Sequence, residues 1–99
     1  MQARMVIVQL TSGRAEQAIT LFKGSVLPAA QAQRGFKGAF LLTDHRTGKF
    51  VSLSLWETEA DLNASEESGY YQEQITKFAG VGVFAGAPVR ETYEVSVQS

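Results

Sequence analysis

Hydroxyl and aromatic side chains in one short apolar stretch are the residues best suited to chemistry. Ser52, Ser54 and Trp56 alternate along this stretch, so on a β-strand all three point to the same side of the sheet. The serine hydroxyls could orient a phenol or quinol oxygen, and the indole could stack on a flat ligand. The structural alternative is that the serines bond to the backbone and Trp56 anchors the core. Because neither serine has a histidine beside it, a serine hydrolase is disfavoured.

Two adjacent tyrosines complete the candidate site. On a helix, Tyr70 and Tyr71 point about 100° apart. Tyr71 shares its helical face with Ile75 and Phe78, whereas Tyr70 could reach the mouth of a pocket and donate a hydrogen bond. The alternative is one core tyrosine and one surface tyrosine. The predicted substrate-binding residues are Ser52, Ser54, Trp56 and Tyr70, and the sequence identifies no catalytic residue.

Three other features could take part in chemistry, but each also has a simpler structural interpretation. His45 is the residue type best suited to act as a general base, but it lies in a polar loop, which favours an exposed histidine. Arg90 could anchor an anionic ligand, or Arg90 and Glu91 could serve in an ion pair at an edge or interface. The segment 80–85 fits G-x-G-x-x-A, but it follows a helix and leads into a strand, so it is not a dinucleotide site. We expect a flexible entry to the last strand there, with a lid as the alternative.

Composition narrows the function classes. The chain has 99 residues with 9 Lys and Arg, 10 Asp and Glu, and a net charge of −1, so no nucleic-acid partner is expected. The absence of cysteine and the presence of one histidine exclude thiol chemistry and a multi-histidine metal site within the chain. We expect no metal and no cofactor. No apolar run approaches about 20 residues, so we expect a cytoplasmic protein with no membrane partner and one domain over residues 1–99.

Hydrophobic periodicity predicts the elements that position these residues. The strands are predicted at 5–10, 36–43, 49–56 and 89–97. A helix runs from residue 14 towards Gly35, with Thr11 or Ser12 as its cap, and Pro28 kinks it or restarts it in a first turn. Thr58 is predicted to cap a short helix to about Glu66, and Ser68 a last helix. This is the α+β, ferredoxin-like βαββαβ order, with a four-stranded antiparallel sheet and its helices on one face.

The sheet carries more apolar surface than one helical layer can cover. A sheet covered on one side shows polar residues on its other face, but here that face is apolar. We therefore expect a symmetric homodimer in which two sheets pack face to face. On the second strand Phe36, Phe40 and Leu42 point one way and Ala39 and Leu41 the other. On the third strand Phe50 and Trp56 oppose Val51, Leu53 and Leu55.

Four segments together resemble a known family. They are Gly35-Phe36 before the second strand, 56–62 after the third, 68–71 opening the last helix, and 88–95 in the last strand. On these markers the chain resembles, over almost its whole length, the antibiotic biosynthesis monooxygenase-like (ABM) domains of the dimeric α+β barrel superfamily. The resemblance implies a dimeric barrel with a pocket between sheet and helices in each subunit. Some members oxygenate quinols or polyketide-derived phenols without metal or flavin, and others bind and degrade heme.

The functional side chains of those members are replaced in this chain. In the oxygenases of aromatic polyketides, the positions of the asparagine, tyrosine and arginine correspond to Ser52, Leu62 and about Thr76. In the heme-degrading members, the positions of the asparagine, tryptophan and histidine correspond to about Val8, Ser65 and Ile75. Without the histidine there is no axial iron ligand, so heme degradation by that route is not expected.

Two functions remain open from the sequence. The first is an oxidoreductase, a cofactor-independent ABM-type monooxygenase acting on a small aromatic quinol or phenol. The alternative is a non-catalytic dimeric protein of unknown role that binds a small hydrophobic or aromatic ligand or serves regulation. The replaced asparagine and arginine favour the alternative, and the family markers favour the first.

Overall fold

The computed structural model describes all 99 residues as a four-stranded antiparallel sheet with helices on one face. The strand order is β2-β3-β1-β4, so β1 and β3 are central. The predicted ferredoxin-like α+β fold is confirmed. None of the helices is long and apolar enough to cross a membrane. The elements are β1 (Gln2–Gln9), α1 (Ala15–Leu21), a π-helical turn (Phe22–Val26), α2 (Leu27–Gln31), β2 (Phe36–Asp44), β3 (Lys49–Trp56), α3 (Glu59–Glu67), α4 (Tyr70–Gly80) and β4 (Val89–Glu94).

The core lies between the sheet and the helices. Phe50 of β3 contacts Phe22 of the π-helical turn and Phe78 of α4 edge-on, with ring centroids 6.3 Å and 5.8 Å apart. Val6 and Val8 of β1 pack into the same cluster. A smaller cluster around Trp56 joins the end of β3 to Ala30, Leu62 and Tyr70. Burial of this apolar surface holds the helices on one face of the sheet.

The first helix contains the predicted restart at proline. Pro28 lies in the first turn of α2, a position where proline is tolerated. The π-helical turn just before it connects α1 to α2 without interrupting the helical path. The predicted cap by Thr11 or Ser12 is wrong, because Arg14 is the N-cap and no side chain bonds there. The helix also ends at Gln31, before Gly35.

The caps of α3 and α4 differ in kind. Thr58 caps α3 as predicted, because its hydroxyl accepts a hydrogen bond from the Asp61 N–H at 3.0 Å. The predicted Ser68 cap of α4 is wrong. Gly69 is the N-cap with φ of 88°, and the Ser68 hydroxyl donates to the Ser65 carbonyl at the end of α3 instead. A left-handed glycine thus turns the chain sharply from α3 into α4.

A β-bulge near the start of β2 changes which face Phe36 occupies. The pairing of β2 with β3 shifts between Phe36 and Gly38, so the side chains before and after the shift point to opposite faces. Phe36 packs edge-on against Trp56 at 5.6 Å on the helical side. Phe40 and Leu42 are 57% and 52% exposed on the other side. The prediction that Phe36 shares a face with Phe40 and Leu42 is therefore wrong.

The face of the sheet away from the helices is apolar, as predicted. We call it the open face. The strand register places Met5 and Phe40 beside Leu53, and Ile7 and Leu42 beside Val51. The open face comprises Ala3, Met5, Ile7, Phe40, Leu42, Val51, Leu53, Leu55, Val89, Glu91 and Tyr93.

The glycine-rich segment between α4 and β4 is anchored to the core at two residues, and the flexible entry expected there stays a prediction. The Thr11 N–H donates to the Val83 carbonyl, and the Ala85 N–H to the Gln9 carbonyl, both at 2.8 Å. Val83 is fully buried, and Phe84 stacks on Phe78 with centroids 5.7 Å apart. The segment thus extends the core, and β4 ends at Glu94 rather than at residue 97.

Gly35 offers a test of this packing. Its φ is 79°, and a methyl group there would overlap the Asp61 side chain at the start of α3. We expect Gly35→Ala to lower the free energy of unfolding by about 2 kcal/mol, because alanine is strained at this φ. The control is Gly24→Ala in the π-helical turn, where the added methyl meets nothing within 4 Å. Urea denaturation of both variants measures the difference, and equal stabilities would contradict the interpretation.

Candidate ligand-binding site

A cavity of about 50 Å³ lies between the inner face of the sheet and the helices. Of its 18 lining residues, 14 are hydrophobic, so the wall suits an apolar ligand body. The volume has room for about three waters, so a ring-sized ligand requires the wall to move outward. Phe22 and Val26 of the π-helical turn form part of this wall. The four other lining residues are Arg4, Ser52, Ser54 and Gln74.

Three of the four predicted site residues line this cavity. Ser52 and Ser54 reach it from β3, and Tyr70 reaches it from α4. Trp56 does not line it, because the indole is fully buried behind Ser54 and its Nε1–H donates to the Ser54 hydroxyl at 3.0 Å. The indole also contacts the rings of Phe36 and Tyr70 edge-on. Trp56 thus supports a lining residue, and the substrate-binding role of all four stays a prediction.

Arg4 is the most buried charged residue, and the sequence analysis missed it. Its side chain leaves β1 on the helical face and is 3% exposed. Nη1 donates to the Ser65 hydroxyl at 2.9 Å and to Glu66 Oε2 at 3.1 Å. The same Glu66 oxygen accepts from Arg90 Nε at 2.9 Å and Nη2 at 2.8 Å. Two guanidinium groups therefore share one carboxylate, which compensates part of the burial penalty of Arg4.

Two aromatic rings hold the Arg4 guanidinium in place. Its central carbon lies 4.6 Å from the centroid of the Tyr71 ring and 5.3 Å from that of Trp56. Such cation–π contacts stabilise a charge without using its N–H donors. The alternation of β1 contained the missed signal, because Arg4 shares its face with the buried Val6 and Val8.

Burial keeps both tyrosines of α4 neutral. Burial raises the pKa of Tyr70 above its usual value, with the charge of Arg4 acting in the opposite direction. Burial likewise raises the pKa of Tyr71; Arg4 and Arg90 oppose the increase, and Glu66 adds to it. Both phenols line the cavity, and neither hydroxyl has a hydrogen-bond partner in the protein. Each can therefore donate to a ligand oxygen.

A polar chain from the surface orients Gln74, a second residue that the sequence analysis missed. Lys77 Nζ lies 2.9 Å from the Ser25 hydroxyl, which lies 3.0 Å from Gln74 Oε1. An ammonium group only donates, so the Ser25 oxygen accepts from Lys77 and its hydrogen goes to Gln74 Oε1. The amide NH₂ of Gln74 is left as the donor toward the cavity. Only the folded network reveals this, because the sequence shows a helical glutamine.

The other candidates lie outside the cavity. His45 is exposed in the β2–β3 loop, with Nε2 3.4 Å from the Thr43 hydroxyl. Arg90 pairs with Glu66, and Glu91 accepts a bond from the Tyr93 hydroxyl at 3.0 Å, so Arg90 and Glu91 are not paired with each other. No group of three His, Cys, Asp or Glu side chains is placed to hold a metal ion.

Comparison with known proteins identifies the family. The family model described as antibiotic biosynthesis monooxygenase (ABM) matches residues 1–77, a span that contains every polar residue of the cavity. The chain belongs to the ABM family. The expected resemblance is thereby confirmed.

The sequence similarity of this ABM chain to curated proteins extends over most of the chain. It is 30% identical over 96 residues to the uncharacterised protein Rv2557 of Mycobacterium tuberculosis, covering 95% of this chain and 40% of that protein. The chain thus spans about two fifths of the length of the curated relatives it matches.

Solved structures share the fold at low identity. A monooxygenase from the gene ActVA-Orf6 of Streptomyces coelicolor, in complex with nanaomycin D, superposes with a TM-score of 0.76 at 16% identity, over 99% of this chain and 91% of that one. SnoaB of Streptomyces nogalater, a cofactor-independent oxygenase, gives 0.78 at 11% identity, over 98% and 94%.

The positions that other ABM members use for chemistry have different roles here. Leu62 is buried in the core, and Thr76 is exposed on α4 with its hydroxyl donating to the Gln72 carbonyl. Ile75, close to the position predicted for the heme-ligating histidine, is an apolar part of the cavity wall. Apart from Ser52, the polar groups of this cavity therefore come from other positions, above all Arg4 on β1 and Gln74 on α4.

Glu66 provides a test of the shared ion pair. We expect Glu66→Gln to lower the free energy of unfolding by about 2 kcal/mol, because it leaves two guanidinium groups without a carboxylate. The control is Glu67→Gln, which removes the same charge at the exposed neighbouring position. Thermal and urea unfolding measure both. A Glu66→Gln variant as stable as its control would show that the pair contributes no stability.

Proposed function

We propose that this protein is an ABM-type monooxygenase that oxidises a small phenol or quinol without metal or flavin. The observation that carries the proposal is the apolar cavity, whose few polar groups can donate hydrogen bonds to a ligand oxygen. Family membership and the monooxygenases of the same fold support it. The proposed substrate-binding residues are Ser52, Ser54, Trp56 and Tyr70, with Trp56 acting through Ser54.

The chemistry needs little from the protein beyond binding and orientation. An ionised phenol can pass an electron to O₂, and the two radicals can combine at a ring carbon that bears hydrogen. Loss of water from the resulting peroxide leaves a carbonyl, so one oxygen atom enters the product and the other leaves as water. The cavity would exclude bulk water, and Ser52 and Tyr70 would hold the phenol oxygen.

A non-catalytic ligand-binding or regulatory role is the second candidate. It is favoured by the residues at the family's functional positions, since Leu62 and Thr76 carry no group able to bind substrate in the cavity. The two candidates share ligand binding and differ in oxygen consumption.

Oxygen uptake with a panel of quinols and phenols separates the two candidates. We expect consumption above the uncatalysed rate. In Tyr70→Phe we expect kcat/KM to fall roughly tenfold, because one charge-assisted donor to the phenolate is lost. The control is Tyr93→Phe, which removes a hydroxyl on the open face, outside the cavity. Panel members that bind without any oxygen uptake would favour the non-catalytic role.

We also propose that the open face is covered by the open face of a second copy. Its side chains are apolar apart from Glu91 and the hydroxyl of Tyr93, which donates to Glu91. Two antiparallel sheets pack well at a separation of about 10 Å. Water exclusion from both faces would supply the driving force. The cytoplasmic location and the single domain over residues 1–99 stay predictions.

Phe40→Glu tests the homodimer. Phe40 is 57% exposed in a single chain, so a carboxylate there leaves the chain's own core unchanged but is buried in the proposed interface. We expect the variant to sediment as a monomer at concentrations where the unmodified protein is dimeric. Gln31→Glu on the exposed side of α2 adds the same charge and should stay dimeric. A dimeric Phe40→Glu variant, or a monomeric unmodified protein, would contradict the proposal.

A further inference from the structure

Arg4 is the only charged residue that lines the cavity. We propose that the ligand carries an anionic oxygen, a carboxylate or an ionised phenol or enol, on an apolar body, and that Arg4 binds this oxygen. The inference rests on the proposed function, because it names the chemical form of the ligand bound at the same site.

The Arg4 guanidinium has N–H donors that no group of the protein accepts. Of its five N–H groups, the two on Nη1 serve Ser65 and Glu66. The N–H groups of Nε and Nη2 have no acceptor in the protein, although the side chain is 3% exposed. Neither nitrogen is fully buried, because no fully buried side-chain nitrogen or oxygen lacks a partner, and the side chain that carries them lines the cavity. These donors lie in the plane of the guanidinium, the geometry that receives two oxygens of a carboxylate or one phenolate oxygen.

The positive charge of Arg4 is only partly balanced. Glu66 accepts two bonds from Arg90, at 2.8 Å and 2.9 Å, and one longer bond of 3.1 Å from Arg4. One carboxylate between two guanidinium groups leaves the three groups with a net positive charge, and Arg4 is the member that lines the cavity. Because the surroundings are apolar, this charge acts on a ligand with little screening.

The other polar groups of the wall point to the same ligand chemistry. The amide of Gln74 presents its NH₂ group, because its oxygen is occupied by Ser25. Tyr70 and Tyr71 are neutral phenols with free hydroxyls. No acidic side chain lines the cavity. An anionic oxygen would therefore meet donors and no competing negative charge.

Binding of an anionic oxygen by Arg4 would favour the proposed oxidation. The ionised phenol is the form that passes an electron to O₂, and a cation beside its oxygen favours that form. Arg4 would therefore select the reactive form of the substrate at the moment of binding.

The test uses 4-nitrophenol, whose ionised form has its own absorption band, and the pair benzoate and benzamide, which share a shape and differ in charge. We expect the unmodified protein to bind nitrophenolate and benzoate roughly tenfold or more tightly than the neutral partners. The apparent pKa of bound 4-nitrophenol should then fall by about one unit or more. Equilibrium dialysis and a pH titration of the absorbance measure both quantities.

The decisive variant is Arg4→Met, which should abolish the preference for the anion in both assays. It leaves Glu66 paired with Arg90, so folding should survive, and circular dichroism checks this. Arg46→Met removes the same charge from the exposed loop and should keep the preference. Because the ligand pairs are compared on the unmodified protein as well, the inference stays testable even if Arg4→Met fails to fold.

Each outcome decides the inference. Equal binding of the charged and neutral ligands, binding of neither, or a preference that survives in Arg4→Met would overturn it. If oxygen uptake persists while the preference is absent, the inference fails and the proposed oxidation stands. If the preference depends on Arg4 but no phenol consumes oxygen, the anion site stands and the oxidation fails.

Discussion

The pairing of Arg4 with Glu66 is the constraint around which this chain is arranged. A guanidinium group buried beneath helices is strongly unfavourable unless a carboxylate meets it, so α3 must place Glu66 over β1. Arg90 then ties β4 to the same oxygen. Tyr71 of α4 and Trp56 of β3 hold the two faces of the cation. One buried charge thereby links three strands and two helices at the polar end of the cavity.

Much of the fold was predictable because local periodicity and tertiary packing agree. β3 was predicted to the residue, and the βαββαβ order follows from where the hydrophobic period changes. The structure differs from the sequence prediction where a contact between residues distant in sequence determines the local conformation. The bulge at Gly38 reverses the side on which Phe36 lies, because Phe36 fills the space beside Trp56. In segment 80–85 the locally permissive glycines gave no sign that Val83 between them is buried in the core.

The candidate site was predictable only in part. The alternation of β3 correctly placed Ser52 and Ser54 on the inner face, since strand parity is a local property. Trp56 has the same parity but lies behind the cavity, because its N–H needs a partner and finds Ser54. Arg4 and Gln74 were missed for another reason. The alternation of β1 indicates only that Arg4 points inward. The roles of Arg4 and Gln74 depend on partners more than 45 residues away along the chain, which no local pattern identifies.

The position of Trp56 has a spectroscopic consequence. It is the only tryptophan in the chain, it is shielded from solvent, and it touches both Arg4 and the cavity residue Ser54. The energy of an excited indole depends on the electric field of nearby charges, and here the nearest charge is the one proposed to meet the ligand. The molecule therefore contains a single built-in fluorophore whose emission colour reports the charge state of its own cavity, without any label.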